Sequence, residues 1–124
     1  MLVEHLIARR PDIHLLNAMD GQSGVDLARA TLPDVILMDI NLPGISGIQA
    51  LRLLAADPVT ALIPVVALSA NAMPRDIAKG LSAGFFRYLT KPIKVGEFME
   101  TIDQALKTSK ARRFNREHNG GEKS

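Results

Sequence analysis

The chain of 124 residues contains no cysteine and no tryptophan. Without cysteine there are no disulfides, no Cys-ligated zinc or iron–sulfur clusters and no thiol nucleophile, which fits a reducing compartment. No stretch approaches the roughly 18 apolar residues that a membrane span needs. The first residues also lack the basic segment followed by an apolar run that marks an export signal. We therefore expect a cytoplasmic protein without a membrane segment.

Most of the chain carries no large excess of positive or negative charge. Residues 1–106 carry nine Lys or Arg against eleven Asp or Glu, whereas residues 107–124 carry six against two. The sequence pI of about 9.2 therefore reflects the end of the chain. A short basic segment without interleaved aromatic residues is usually solvated, so we do not expect nucleic-acid binding. Residues 108–124 are polar and contain glycine, and we predict that they form a disordered tail.

All seven prolines fall between apolar runs. Between the prolines, segments with the apolar spacing of a helix alternate with short apolar runs typical of a strand. Helical spacing predicts a first helix at about 2–9, and the helices that follow at about 22–31, 47–56, 74–83 and 95–107. Short β-rich runs predict strands at 13–18, 34–38, 64–69 and 85–89. The run Val35-Ile36-Leu37-Met38 shows no polar alternation, which is typical of a strand covered on both faces. The alternation predicts one α/β domain with a doubly wound parallel sheet.

Three consecutive predicted strands end on reactive side chains. The second strand runs into Asp39, the third into Ser69, and the fourth into Thr90 and then Lys91. Since the carboxyl ends of parallel strands form the functional crevice of such sheets, we expect these side chains to cluster. A carboxylate, a hydroxyl and an ammonium together can serve as nucleophile, hydrogen-bond donor and fixed positive charge. This set suits transfer of a phosphoryl group to the carboxylate.

The segment from Pro33 to Gly47, PDVILMDINLPGISG, resembles the phosphoacceptor segment of CheY-like response-regulator receiver domains. The spacings of 30 residues from Asp39 to Ser69 and 22 from Ser69 to Lys91 are also usual for that family. The stretch LSANAM, residues 68–73, resembles receivers of hybrid sensor histidine kinases. The resemblance covers residues 2–107. It implies a flavodoxin-like (βα)5 receiver fold, which we assign to residues 1–107.

The resemblance also implies a role for each matching position. Asp39 becomes the phosphoacceptor, Ser69 the switch hydroxyl that follows the phosphoryl group, and Lys91 its cationic partner. Tyr88 matches the aromatic switch position, and the Lys91–Pro92 peptide is expected to be cis. Asp39 and the backbone carbonyl of Asn41 are expected to bind Mg²⁺. The partners implied are a sensor histidine kinase or a histidine phosphotransfer protein, with output through segments 74–83, 85–89 and 95–107.

The sequence departs from the family at its beginning, because members open with an apolar strand ending in an acidic pair that holds Mg²⁺. No such strand or pair precedes the first predicted helix, so we expect a receiver fold lacking strand 1, with weakened Mg²⁺ binding. Three explanations stay open for the sheet. The chain has lost its beginning, by truncation or a misplaced start codon. Another chain fills the gap, for instance in a strand-exchanged or other homodimer. Or the strand at 13–18 closes directly onto the strand at 34–38.

The same residues also occur in proteins of other classes. Asp39, Ser69 or Lys91 taken singly is more often an ordinary loop or cap residue, and the spacing of all three carries the prediction. A haloacid-dehalogenase-type phosphatase needs a second acid two residues after the nucleophile, where this chain has Asn41. A nucleotide-binding domain needs a Gly-rich phosphate loop, and none follows a strand. The alternative that stays open is a receiver-like interaction module that has lost Mg²⁺-dependent phosphotransfer. We expect a signalling domain and not an enzyme.

Overall fold

The computed structural model describes residues 5, 7, 10, 12–17, 21–40, 45–70 and 72–122. They form four strands that alternate with four helices, as the sequence pattern predicts. The strands are β1 (Ile13–Asn17), β2 (Val35–Ile40), β3 (Val65–Ser69) and β4 (Arg87–Thr90). The helices are α1 (Gly21–Thr31), α2 (Ile45–Ala56), α3 (Pro74–Ala83) and α4 (Val95–Glu122). The helix predicted at 2–9 lies largely outside the described residues.

The four described strands form one parallel sheet in the order β1-β2-β3-β4. β1 pairs directly with β2, so that Ile13 lies opposite Val35 and Asn17 lies opposite Asp39. This is the third arrangement considered above, in which the strand at 13–18 closes onto the next one. The connection through α1 is a β-α-β crossover of the usual kind, so this pairing needs no special chain path. The predicted α/β fold with a parallel sheet is confirmed.

Both faces of the sheet are covered, because alternate residues of β2 and β3 pack into two different apolar clusters. Ile36 and Met38 belong to a first cluster, which α1, α2 and the end of α3 cover. Val35 and Leu37 belong to a second cluster, which Phe98 and further residues of α4 cover. All six residues of β2 are buried. The unbroken apolar run in the sequence thus corresponds to a strand packed on both sides.

Helix α3 has the boundaries that the sequence predicts, and both ends have an identifiable cause. Pro74 occupies the start of the helix, where its missing N–H costs no intrahelical hydrogen bond. Gly84 follows the last residue of the helix with φ 123°, a backbone conformation that residues with a β-carbon rarely adopt. Its amide donates to the carbonyl of Leu81 at 3.2 Å. The chain then turns sharply toward β4.

Helix α4 is longer than predicted, and the prediction of a disordered tail after Lys107 is wrong for residues 108–122. The helix continues to Glu122, and Ser109 is only 1% exposed. Ser109 extends the buried stripe of Phe98, Ile102 and Ala105 by one more turn. A small polar residue occupies this buried position, so the hydrophobic pattern on which the prediction relied gave no signal there.

Candidate functional site

The carboxyl ends of the strands bring the three predicted site residues to one edge of the sheet. Asp39 is the fifth residue of β2, and Ile40 after it lies opposite Ser69 at the end of β3. Ser69 lies opposite Thr90, the last residue of β4, and Lys91 follows immediately. Each side chain is therefore placed by the register of a strand whose other residues are fixed in the core.

The side chains of Asp39 and Lys91 form a direct ion pair. The Nζ atom of Lys91 donates to Oδ1 of Asp39 at 2.7 Å. The exposed fractions of the two side chains are 12% for Asp39 and 27% for Lys91. The pair is thus shielded from solvent much more than a surface salt bridge, and its electrostatic attraction is correspondingly stronger.

The pleat of the strands explains why these two side chains meet. Val35 and Leu37 face the second apolar cluster, and two residues further on the same face is occupied by Asp39. Leu89 of β4 faces the same cluster, and two residues further on comes Lys91. Alternation therefore places Asp39 on β2 and Lys91, the residue directly after β4, on the α4 side of the sheet. The distance of 2.7 Å between the charged atoms agrees with this placement.

Ser69 contacts the site from the strand between them. It is 1% exposed, and its carbonyl oxygen accepts a hydrogen bond from the backbone amide of Lys91 at 2.8 Å. Since Ala67 packs into the first apolar cluster, alternation places Ser69 toward that side of the strand end. Lys91 is thereby held at two points, by its ammonium at Asp39 and by its amide at Ser69.

Tyr88 lies on β4 and packs partly buried against the first apolar cluster. Its ring lies against the backbone of α3 at Gly80, where an added β-carbon would be 3.0 Å from Cδ2 of the tyrosine. A glycine inside a helical pattern is the one feature of the sequence that indicates such a close contact. The assignment of Tyr88 as an aromatic switch stays a prediction.

The remaining predicted features concern the turn after β4 and the metal. The Lys91–Pro92 peptide bond is cis, as expected. Asn41, predicted to offer its carbonyl to Mg²⁺, lies outside the described residues. Within the described part of the chain, no group of three or more His, Cys, Asp or Glu side chains could hold a metal ion. Asp39 is the predicted metal ligand that the structure describes at this edge.

Comparison with known proteins identifies the family. The family model for the response regulator receiver domain matches residues 1–103. The chain belongs to this receiver family. The receiver is 41% identical to the protein PilH of Pseudomonas aeruginosa over 92 residues, which cover 74% of this chain and 76% of PilH. It is also 41% identical to the polar-differentiation response regulator DivK of Brucella anthropi over 91 residues, which cover 73% and 74% of the two chains.

Solved structures agree with this membership. A response regulator from Desulfuromonas acetoxidans superimposes on the receiver with a TM-score of 0.64 and 28% identity, covering 77% of this chain and 95% of that one. The receiver domain of a sensor histidine kinase from Pseudomonas aeruginosa gives 0.63 and 29%, covering 76% and 95%. That domain was crystallised with a magnesium ion coordinated in its active-site cleft.

The family membership places this receiver in two-component signalling, in a family whose members bind Mg²⁺ in the active site. Receiver domains interact with histidine kinases or phosphotransfer proteins and with output partners. None of the helices in the described residues combines the length and the apolar character that crossing a membrane requires.

Proposed function

We propose that Asp39 of this receiver accepts a phosphoryl group from the phosphohistidine of a sensor histidine kinase or a histidine phosphotransfer protein. The observation that carries the proposal is the ion pair between Lys91 and Asp39, 2.7 Å long, at the strand edge where Ser69 ends the neighbouring strand. We infer that the protein acts in the cytoplasm as a signalling domain and not as an enzyme, because the phosphoryl group stays on its own side chain.

The transfer uses groups that the chain holds in place. A carboxylate oxygen of Asp39 forms the new P–O bond while the P–N bond to the donor imidazole breaks, and its electron pair leaves with the imidazole. No oxidant or further reactant is needed. The Lys91 ammonium, already beside the carboxylate, offsets the negative charge that spreads over the phosphoryl oxygens. The Ser69 hydroxyl, which lies at the same edge of the sheet but toward the other face, is our candidate donor to one of those oxygens.

Mg²⁺ would bind to the carboxylate of Asp39 and, by the family resemblance, to the carbonyl of Asn41. Oxygen ligands of this kind suit Mg²⁺, which in proteins is often held by one or two carboxylates and several waters. When bound, the ion supplies positive charge to the phosphoryl oxygens. We propose that its affinity is lower than in receivers with an additional acidic pair, because the described residues offer no group of three or more His, Cys, Asp or Glu side chains that could hold a metal ion.

The readout of phosphorylation follows from the same contacts. Lys91 is bonded to both Asp39 and the Ser69 carbonyl, and β4 connects it to Tyr88. A phosphoryl group on Asp39 displaces the resting ion pair and draws Lys91 and Ser69 toward its oxygens. We propose that Tyr88 and the adjoining surface of α3, β4 and α4 then bind an output partner differently. That partner is either another protein or a second copy of this chain in a homodimer.

Intact-mass spectrometry of the protein incubated with acetyl phosphate and Mg²⁺ tests the proposal. We expect a single phosphoryl adduct, which is lost in Asp39→Asn and kept in the matched control Asp34→Asn, whose carboxyl lies at the opposite end of β2. Lys91→Ala should reduce the rate of labelling. Labelling that survives Asp39→Asn would refute the site.

A receiver that binds its partner without phosphorylation is the second candidate function. It is favoured by the lack of an acidic cluster among the described residues. If it holds, no adduct forms at any Mg²⁺ concentration, and Asp39→Asn leaves binding to the partner unchanged. Binding that depends on both acetyl phosphate and Asp39 would exclude this candidate.

A further inference from the structure

The end of helix α4 crosses the edge of the sheet that is opposite to Asp39. Ser109 is buried, but every side chain that the structure describes after it, residues 110–115, is exposed. We call residues 110–115 the latch segment. Its attachment to the sheet therefore does not come from burial of its own apolar groups.

Two neighbouring arginines attach the latch segment to the amino ends of two strands. Nη1 of Arg113 lies 2.7 Å from Oδ1 of Asp34, the residue just before β2. Nη1 of Arg112 donates to the carbonyl oxygen of Leu62, just ahead of β3, at a longer distance of 3.4 Å. The stronger contact of the two is thus the ion pair to Asp34.

Backbone hydrogen bonds hold Asp34, the residue to which Arg113 binds, in place. The backbone amide of Asp34 donates to the carbonyl of Asp12 at 2.7 Å, and that of Val35 donates to the same oxygen at 3.1 Å. Val35 is fully buried between the two neighbouring strands. Asp34 consequently keeps its place whether or not Arg113 is bound to it.

We propose that the latch segment is releasable: it detaches from the sheet and frays while the sheet and the first part of α4 stay folded. The ion pair that holds it is partly exposed to solvent, with exposed fractions of 46% for Arg113 and 31% for Asp34. Exposed pairs contribute little and are screened by salt. A helical end without packing is marginal on its own. Release separates the guanidinium group of Arg113 from Asp34 and that of Arg112 from the carbonyl oxygen of Leu62.

Hydrogen–deuterium exchange of the full chain, read by mass spectrometry, tests this release. Arg113→Gln and Asp34→Asn each remove one partner of the ion pair. Arg29→Gln is the matched control, since it removes an exposed arginine that pairs with Asp57 elsewhere. A double variant, Arg113→Asp with Asp34→Arg, restores the pair with its charges exchanged.

We expect exchange in the latch segment to become about two- to five-fold faster in each single variant and in the wild type at high salt. Exchange in β3 and in residues 98–106 should not change, and the charge-exchanged variant should return toward the wild-type rate. Equal exchange in the wild type and both single variants would overturn the proposal. So would faster exchange throughout β3, because the segment would then open only with the whole domain.

Discussion

A β-carbon at Gly80 of α3 would lie 3.0 Å from Cδ2 and 3.2 Å from Cε2 of Tyr88. The tyrosine ring therefore packs directly against the backbone of α3. This close approach is possible because residue 80 is a glycine, which has no β-carbon. Since the protein has one tyrosine and no tryptophan, its tyrosine fluorescence comes from Tyr88 alone.

Gly80→Ala should push the Tyr88 ring outward. We expect faster quenching of its fluorescence by acrylamide, and a free energy of unfolding about 1 kcal/mol lower than in the control, as for other overpacked sites. The matched control is Gly96→Ala in α4, because a β-carbon there meets nothing within 4 Å. Unchanged quenching in Gly80→Ala would contradict the contact.

The ion pair between Asp39 and Lys91 should show a larger coupling energy than a more exposed pair. A double-mutant cycle with Asp39→Asn and Lys91→Met, measured by urea unfolding, is expected to give about 1–3 kcal/mol. The same cycle at Arg10 and Asp12, whose side chains are 37% and 29% exposed, should give less than about 1 kcal/mol. Equal coupling at the two sites would show that shielding does not strengthen the Asp39 pair.

Asp57 should make stability depend on acid pH. The backbone amide of Val59 and the guanidinium of Arg29 lower the pKa of the Asp57 carboxyl below its ordinary value of 3.8. The ionised form is thus favoured in the folded protein, so its stabilisation is complete above the ordinary pKa and is lost as pH falls through the folded pKa. Urea unfolding between about pH 5 and pH 2 should show a shallower loss of stability in Asp57→Asn than in the wild type. A slope equal to that of the wild type would argue against this shift.

The buried hydroxyl of Thr60 should stabilise the end of α2. Thr60 is fully buried, and its Oγ1 donates to the carbonyl oxygen of Leu54 at 2.6 Å. Thr60→Val keeps the shape but leaves that carbonyl without its donor, which should cost about 1–3 kcal/mol. Thr60→Ser keeps the donor and loses one methyl group, which should cost about 1 kcal/mol. In urea unfolding, Thr60→Val as stable as the wild type would show that the hydrogen bond contributes nothing.

The strands and the candidate site could be predicted because both follow from hydrophobic pattern and strand register. β2 and β3 are continuous apolar runs, and a parallel sheet brings their ends, with Asp39 and Ser69, to one edge. The last strand was expected at 85–89 and lies at Arg87–Thr90, because Phe85 and Phe86 belong to the turn that leads into it. Apolar character alone does not separate such a turn from a strand.

Contacts made by polar groups could not be predicted in the same way. The continuation of α4 depends on Ser109 and on the ion pair of Arg113 with Asp34, which are 79 residues apart in the chain. The close approach of Gly80 to Tyr88 depends on how α3 is seated on the sheet. Such contacts are specified by three-dimensional packing and leave no period in the sequence.

The alternating faces of β2 and β4 make the site sensitive to the number of residues in each strand. By alternation, Asp39 lies on the same face as Leu37, and Lys91, directly after β4, lies on the same face as Leu89. Adding or removing one residue within either strand would turn every later side chain to the opposite face. The carboxylate and the ammonium would then lie on different sides of the sheet, although both residues were still present. A change of length by one residue in either strand would therefore remove the ion pair without replacing either charged residue.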